Sequence, residues 1–316
     1  MRKIFFIAFF NIIFPIFSKE DFAYEPWSTG TIFSYDGKIV PKNEFIIQPY
    51  LFVSTTYASY ENNFSLVDIP NLVSVNPFLI FYYGINDFCD VELQLQTVSN
   101  FSQSKSSTNL GDTTLLFSFQ LINGNKNLPY LRLLVLETFP TGKYNKLDPN
   151  VSQAQISGEG VFVTTLGLAA EKIYDWFYYH PIRIRWNFLV DIPSSVSVEG
   201  VNFYGGTSNT KGKVKTGTSF YFLLSPEISI TQKWVFGLDI IYQKQLKGSF
   251  SGDKGNNLDG SLAKINIFQQ DSFQLAPAIE YNFNSRMGIL GGVWFTVFGR
   301  NSDAFVSAVV SAVLTF

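Results

Sequence analysis

Few residues of this chain have the types and spacing that catalysis requires. His180 is the only histidine, and it precedes Pro181 close to a predicted short turn. A histidine base needs a nucleophile within hydrogen-bonding distance, and the sequence indicates no such pair. Cys89, the only cysteine, precedes Asp90, whereas a reactive thiolate is favoured by a basic neighbour. We predict no enzymatic activity and interpret His180 as an interfacial residue and Cys89 as a packing residue.

The sequence also lacks the patterns that bind metals, phosphates or nucleic acid. No group of His, Cys and carboxylate residues has metal-ligand spacing, and no glycine-rich phosphate loop occurs. Basic and acidic residues are nearly balanced, at 23 and 25, without a basic run. The expectation is therefore no metal, no cofactor and no nucleic-acid partner.

The polar residues that could contact a solute alternate with apolar ones. Within the predicted strand 88–98, Val91, Leu93 and Leu95 alternate with the acidic or amide residues Asp90, Glu92, Gln94 and Gln96. Such alternation predicts a strand whose two faces meet different surroundings. In a membrane barrel the apolar face meets lipid and the polar face lines the lumen. The predicted pore-lining residues are Asp90, Glu92, Gln94, Gln96, Arg183, Arg185, Asn187, Asp239 and Glu280. Their charges either sort solutes at a constriction or pair to fill the interior.

The same period of two recurs along the chain. Aromatic residues make up 17% of it and charged residues only 15%, yet beyond residue 18 no apolar run is long enough for a membrane-spanning helix. We predict an all-β fold, a transmembrane antiparallel up-and-down β-barrel of about 12 strands. The candidate strands are 45–59, 72–85, 88–98, 111–122, 129–139, 160–172, 178–191, 215–231, 233–247, 271–283, 286–299 and 304–316.

The connections between these strands alternate in length, as expected for a bacterial outer-membrane barrel with short periplasmic turns and longer outer loops. Aromatic residues near the short turns predict an interfacial girdle. The girdle candidates are Tyr82, Tyr83, Trp176 to Tyr179, Trp234, Tyr281 and Phe283. An even strand number places both ends of the barrel in the periplasm.

Three regions are predicted along the chain. Residues 1–18 have a basic start followed by a short apolar stretch, which is typical of a signal peptide. Residues 19–44 are too irregular for a strand and form either a lumen plug or a periplasmic tail. Residues 45–316 form the barrel, whose last strand must pair with the first, because an open sheet edge is costly in lipid.

The last strand resembles the assembly signal of bacterial outer-membrane barrels, since it alternates apolar residues and ends on Phe316. That resemblance implies the barrel-assembly machinery and outer-membrane lipid as partners. Three further motifs, Tyr83 to Asp87, Gly111 with Asp112, and Phe139 to Gly142, resemble the family of outer-membrane proteins named for the meta-pathway of phenol degradation. The family implies passage of aromatic or other hydrophobic small molecules.

Two functional hypotheses follow for this outer-membrane protein. The first is a channel or transporter for small solutes, hydrophobic or aromatic ones included, with specificity set by the lumen and the outer loops. The alternative is a surface-binding or adhesion barrel with a sealed lumen, in which loops 140–159, 192–214 and 248–270 make the contacts.

Overall fold

A computed structural model describes residues 27–102, 105–177 and 179–316. The predicted signal peptide lies outside these residues, as do residues 19–26 of the segment that follows it. Within the described residues no helix is long and apolar enough to cross a bilayer. The only helix in this part of the chain is α1 (Ser152–Gln155).

Twelve antiparallel strands form a closed barrel, which confirms the predicted fold class. They are β1 (Phe45–Tyr60), β2 (Leu66–Asn86), β3 (Cys89–Ser102), β5 (Thr113–Ile122), β6 (Tyr130–Phe139), β7 (Val163–Tyr174), β8 (Ile182–Pro193), β11 (Ser219–Ser229), β12 (Trp234–Gln245), β14 (Gln270–Asn284), β15 (Met287–Arg300) and β16 (Ser302–Thr315). Consecutive wall strands are neighbours throughout. We call these strands the barrel wall and their interior the lumen.

The first and last strands close the barrel. Ile46 of β1 lies opposite Thr315 of β16, and the ladder continues to Tyr60 and Ser302. At the end of the ladder that contains the start of β1 and the end of β16, Phe316 N donates a hydrogen bond to Phe45 O at 2.9 Å. Closure leaves no sheet edge exposed to lipid, so the backbone groups of both strands are satisfied.

The two faces of the wall differ as the alternation predicts. On β16, Val306 and Val310 are 44% and 59% exposed, whereas Ser307 and Ser311 are buried on the inner face. Exposed apolar side chains continue around the outside on Leu95, Phe117, Leu166, Phe188, Phe222, Phe236, Ile279 and Ile289. A contiguous apolar belt of this extent on a closed barrel is a lipid-facing surface. The chain is a bacterial outer-membrane protein.

Four strands lie beyond the barrel wall. β4 (Lys105–Leu110) pairs with the outer part of β3, while β9 (Ser195–Glu199), β10 (Lys211–Lys215) and β13 (Ser249–Asp253) form a separate sheet in the order β13-β10-β9. We call this the outer sheet. The sequence analysis predicted loops in these regions. The Ser-Val-Ser-Val pattern of β9, however, is itself the alternation expected of a strand. Short turns join the wall strands at the opposite end, which is the periplasmic end.

Candidate functional site in the barrel lumen

Residues 27–44, here called the inner segment, run through the lumen. At residues 29–40, six of its backbone N–H groups donate to side chains of the wall. The pairs are Thr29 with Glu280 (2.8 Å), Phe33 with Asp239 (3.0 Å), Tyr35 with Asn187 (2.6 Å), Gly37 with Glu171 (3.1 Å), Ile39 with Gln120 (2.9 Å) and Val40 with Asp90 (2.7 Å). The acceptors follow one another around the wall from β14 to β3. Side chains of the wall thus replace the sheet partner that this backbone lacks.

Four of the predicted pore-lining residues, Asp90, Asn187, Asp239 and Glu280, therefore hold the inner segment. Each is buried, with at most 1% of its surface exposed. Glu171 and Gln120 also accept hydrogen bonds from the inner segment, and the sequence analysis did not predict them. Gln120 shares its strand face with Ser118, and this period of two was the signal that would have placed it inside.

Arg183 and Arg185 lie in an ion-pair network beside the inner segment. Arg185 contacts Asp36 at 2.7 Å and Glu171 at 3.5 Å, and it also pairs with Glu227. Arg183 reaches Glu171 at 3.4 Å and Glu227 at 3.5 Å. Charges taken out of water need such partners. In this structure the two arginines face acidic groups of the wall and of the inner segment.

A cavity of ≈ 660 Å³ lies between the inner segment and the other side of the wall, formed by β15, β16, β1, β2 and β3. Its periplasmic end is bordered by the turn residues Ser285 and Arg286, and its lining continues to Thr56 and Phe305. The remaining predicted residues, Glu92, Gln94 and Gln96, line this cavity.

Aromatic side chains dominate the centre of the cavity. Trp294 lies 4.6 Å from Phe33 and 6.3 Å from Phe52, measured between ring centroids. Phe78 packs edge-on to Phe52 at 6.4 Å, and Phe305 lies 4.4 Å from Trp294. These separations are typical of favourable aromatic pairs. An aromatic guest could therefore extend this ring network.

Hydrogen-bonding groups lie along one side of the same cavity. Tyr82 Oη donates to Gln48 Oε1 at 3.0 Å, and Gln48 Nε2 donates to Tyr50 Oη at 2.7 Å. Asn76 Nδ2 donates to Gln96 Oε1 at 2.9 Å. Tyr82 was expected in the interfacial girdle, and that expectation is wrong for this residue. Successive strand residues point to opposite faces, so Tyr83 is exposed outside and Tyr82 lines the cavity.

The sequence prediction also missed the apolar part of the lining, because it assigned apolar residues to the lipid face. Tyr50 and Phe52 share strand parity with Ser54 and Thr56, and all four line the cavity. The polar residues Ser54 and Thr56 at the outer end of β1 were the sequence signal that this face of the strand points into the lumen.

The family-like motifs position the inner segment and an outer loop. A Cβ atom on Gly84 would lie 1.9 Å from Pro41 O, so only glycine lets the inner segment pass the periplasmic rim here. At the opposite end, Asp112 accepts hydrogen bonds from Gly142 N (2.8 Å) and Glu159 N (3.1 Å). Burial raises the pKa of Asp112 more than these two hydrogen bonds lower it. Both motifs thus have structural roles.

In the part of the chain that the structure describes, neither His180 nor Cys89 lines the cavity. The imidazole of His180 lies exposed at the periplasmic end, with Nδ1 3.1 Å from Ser229 O. Cys89 is a buried free thiol. Within the described residues no group of three or more potential ligands could hold a metal ion. What the lumen offers is a cavity with aromatic walls and a row of hydrogen-bonding groups.

Comparison with solved structures shows the fold. A crystal structure of the COG4313 outer membrane channel from Pseudomonas putida F1 is 17% identical and superimposes with a TM-score of 0.68, covering 90% of this chain and all of that one. The translocator domain of the autotransporter NalP from Neisseria meningitidis is 10% identical, with a TM-score of 0.48 and coverage of 88% and 90%. The CymD monoaromatic hydrocarbon channel is 9% identical, with a TM-score of 0.39 and coverage of 87% and 89%. Only the first similarity is high enough to support an argument about architecture.

Sequence comparison adds the family. No curated protein matches the chain. Residues 48–174 match the family model described as "Putative MetA-pathway of phenol degradation". This range contains the motifs at Gly84, Asp112 and Gly142, so the resemblance seen in the sequence is confirmed: over residues 48–174 this chain has the pattern of the phenol-degradation MetA-pathway family.

Proposed function

We propose that this barrel is an outer-membrane channel for small hydrophobic solutes, aromatic ones included. The observation that carries the proposal is the aromatic-walled cavity of ≈ 660 Å³ inside a closed barrel. Cavities of roughly 300–1,000 Å³ are typical of small-molecule sites. A polar solute would gain little binding energy from the rings of Phe52, Phe78 and Trp294, whereas a benzene-sized guest would contact all three rings.

In this proposal the polar residues of the lumen have two different roles. Glu92, Gln94 and Gln96 contact the solute from the side of β3, together with the Gln48 and Tyr82 pair. The other predicted pore-lining residues act indirectly. Asp90, Arg185, Asn187, Asp239 and Glu280 hold the inner segment that forms one wall of the cavity, and Arg183 pairs with Glu171 and Glu227, which contact that segment. Mutating them is expected to change the shape of the cavity.

The crystal structure from Pseudomonas putida F1 is described as an outer membrane channel, and the same general role is proposed here. We further propose that residues 1–18 are a signal peptide and that the barrel-assembly machinery recognises the C-terminal strand ending at Phe316. We also propose a non-enzymatic role; among the described residues, His180 is not part of the cavity lining.

Filling the cavity tests the proposal. Ile80 is buried among the cavity residues, while the preceding Leu79 lies on the opposite face of β2. We expect Ile80→Trp to abolish most of the protein-dependent entry of radiolabelled toluene into cells with an intact lipopolysaccharide layer. Leu79→Trp is the matched control and should transport normally.

Surface amounts and heat-modified gel mobility would establish that both variants are folded. If Ile80→Trp transported toluene at the normal rate, the cavity could not be the solute path. If cells with the unmodified protein took up toluene no faster than cells lacking it, the channel proposal would fail altogether.

A further inference from the structure

The outer sheet has two unlike faces. Its buried face consists of Val196, Val198 and Val214, which pack against Val161 and Ile265 of the outer loops. Its other face is exposed on all three strands. Because the buried face fixes the orientation of the sheet, the exposed face is a defined surface with a fixed set of side chains.

The strand register arranges this face in three rows. Each row has a lysine of β10 in the middle, flanked by one residue of β9 and one of β13. The rows are Glu199-Lys211-Asp253, Ser197-Lys213-Ser251 and Ser195-Lys215-Ser249. The row furthest along β9 is acidic at both ends, whereas the other two contain only cationic and hydroxyl groups.

The acidic row is already neutralised. Lys146 Nζ lies 3.0 Å from Glu199 Oε2, and the pKa of Glu199 lies below its usual value because Lys146 donates a hydrogen bond and Lys146 and Lys211 are nearby. Within the described part of the chain, Lys213 and Lys215 form no ion pair, and each lies between two serines. Two ammonium groups and four hydroxyls are thus available to an anion.

The site adjoins a depression and lies close to the membrane. The depression, of ≈ 380 Å³, is lined by the Ser197-Lys213-Ser251 row and by Glu199 and Lys211 of the acidic row, while the row at Lys215 lies beside it. Along the chain, β9 follows β8, β10 precedes β11 and β13 follows β12, so each strand of the outer sheet is joined directly to a wall strand. The row at Lys215 lies only four residues from the start of β11. It is therefore the row nearest to the outer lipid surface.

We propose that this face, centred on Lys213 and Lys215, binds the phosphate groups of the anionic glycolipid in the outer leaflet. Neighbouring strands lie about 4.8 Å apart, so one phosphate could contact a lysine and the serines on both sides of it. Lysine is a general phosphate ligand, and alternate residues of β10 lie roughly 7 Å apart, so two phosphates could bind together. This site is independent of the lumen.

Binding of lipid A by the full barrel in detergent tests the proposal. Each lysine near an anionic lipid surface contributes about 1 kcal/mol, which for two lysines corresponds to a roughly thirtyfold weaker affinity. We expect this loss for the double variant Lys213→Gln, Lys215→Gln. The matched control removes two exposed lysines elsewhere on the outer loops, Lys254→Gln with Lys264→Gln, and should bind as the unmodified protein does.

Two further arms identify the ligand. Dephosphorylated lipid A should bind the unmodified protein at least tenfold more weakly than the bisphosphorylated form, and inorganic phosphate should bind more weakly than lipid A. Equal binding of the double variant and the unmodified protein, or equal binding of the two lipids, would overturn the proposal. Tighter binding of inorganic phosphate would assign the site to a free anion and overturn the lipid assignment.

Discussion

Gly84 is the position where one added side chain should release the inner segment. A Cβ atom there would lie 1.9 Å from Pro41 O and 2.7 Å from Val40 O, whereas ordinary contacts begin at 3.4 Å. Both oxygens belong to the backbone, so no side-chain rotation relieves the overlap. In Gly84→Val, the inner segment must move away from the wall by about 1.5 Å, the difference between these distances.

The size of the effect follows from the contacts that such a movement breaks. Gly84 N donates to Glu44 O at 3.0 Å, and Asn43 N donates to Gly84 O at 2.8 Å. Each hydrogen bond contributes about 1 kcal/mol, and overpacking adds about 1–3 kcal/mol. The combined bias of about 3–5 kcal/mol raises the displaced population by a factor of roughly 100 to 4,000, at about 1.4 kcal/mol per factor of ten.

Thiol labelling measures that population. Ile32 is buried within the lumen, so Ile32→Cys in a Cys89→Ala background reports exposure of the inner segment to a water-soluble maleimide. We expect Gly84→Val to raise the labelling rate at least a hundredfold. Gly291→Val is the control, because a Cβ atom at Gly291 meets nothing within 4 Å. Equal labelling rates for the two variants would refute the assigned role of Gly84.

Three further perturbations test other parts of the structure. Arg185→Met leaves Asp36, Glu171 and Glu227 without this cation, so the free energy of unfolding, measured by urea titration in detergent, should fall by about 3–5 kcal/mol; an unchanged value would show that the network is not structural. Val310→Lys places a charge on the lipid face and should lower the free energy of unfolding in lipid vesicles by about 2–4 kcal/mol. A clearly smaller loss would indicate that the residue faces the lumen. Asp112→Ala removes the acceptor of two backbone N–H groups, each bond to a charged group contributing about 1.5–3 kcal/mol, and should speed proteolysis of loop 140–159, whereas Asp112→Asn should show a smaller effect. Equal cleavage of Asp112→Ala and the unmodified protein would contradict this contact.

The barrel could be predicted from the sequence because each strand alternates between two solvents. The pairing of β1 with β16 followed from the cost of an open edge in lipid, and the register confirms it. Wall strands began or ended several residues from the predicted positions. β2 starts at Leu66 instead of residue 72, for example, because its ladder with β1 continues past a register shift at Thr56 to the pair of Tyr60 and Leu66.

The contents of the lumen were harder to predict, for a physical reason. The rule that inward residues are polar holds for a water-filled pore, but here the inner segment occupies part of the interior and aromatic rings line the cavity that remains. Asp239 was predicted as a pore-lining residue, yet nothing in the sequence indicated that it would accept a hydrogen bond from Phe33 N. Likewise, Phe52 and Trp294 meet only after the barrel closes. Such contacts depend on tertiary closure and leave no local pattern.

The most direct test of the account is where a small aromatic molecule binds. Crystals of the protein soaked in bromobenzene would locate the bromine atom by its anomalous scattering. We predict a bromine peak inside the cavity, within van der Waals contact of Phe52, Phe78 or Trp294. Bromine peaks confined to the lipid-facing surface, with the cavity free of them, would contradict it.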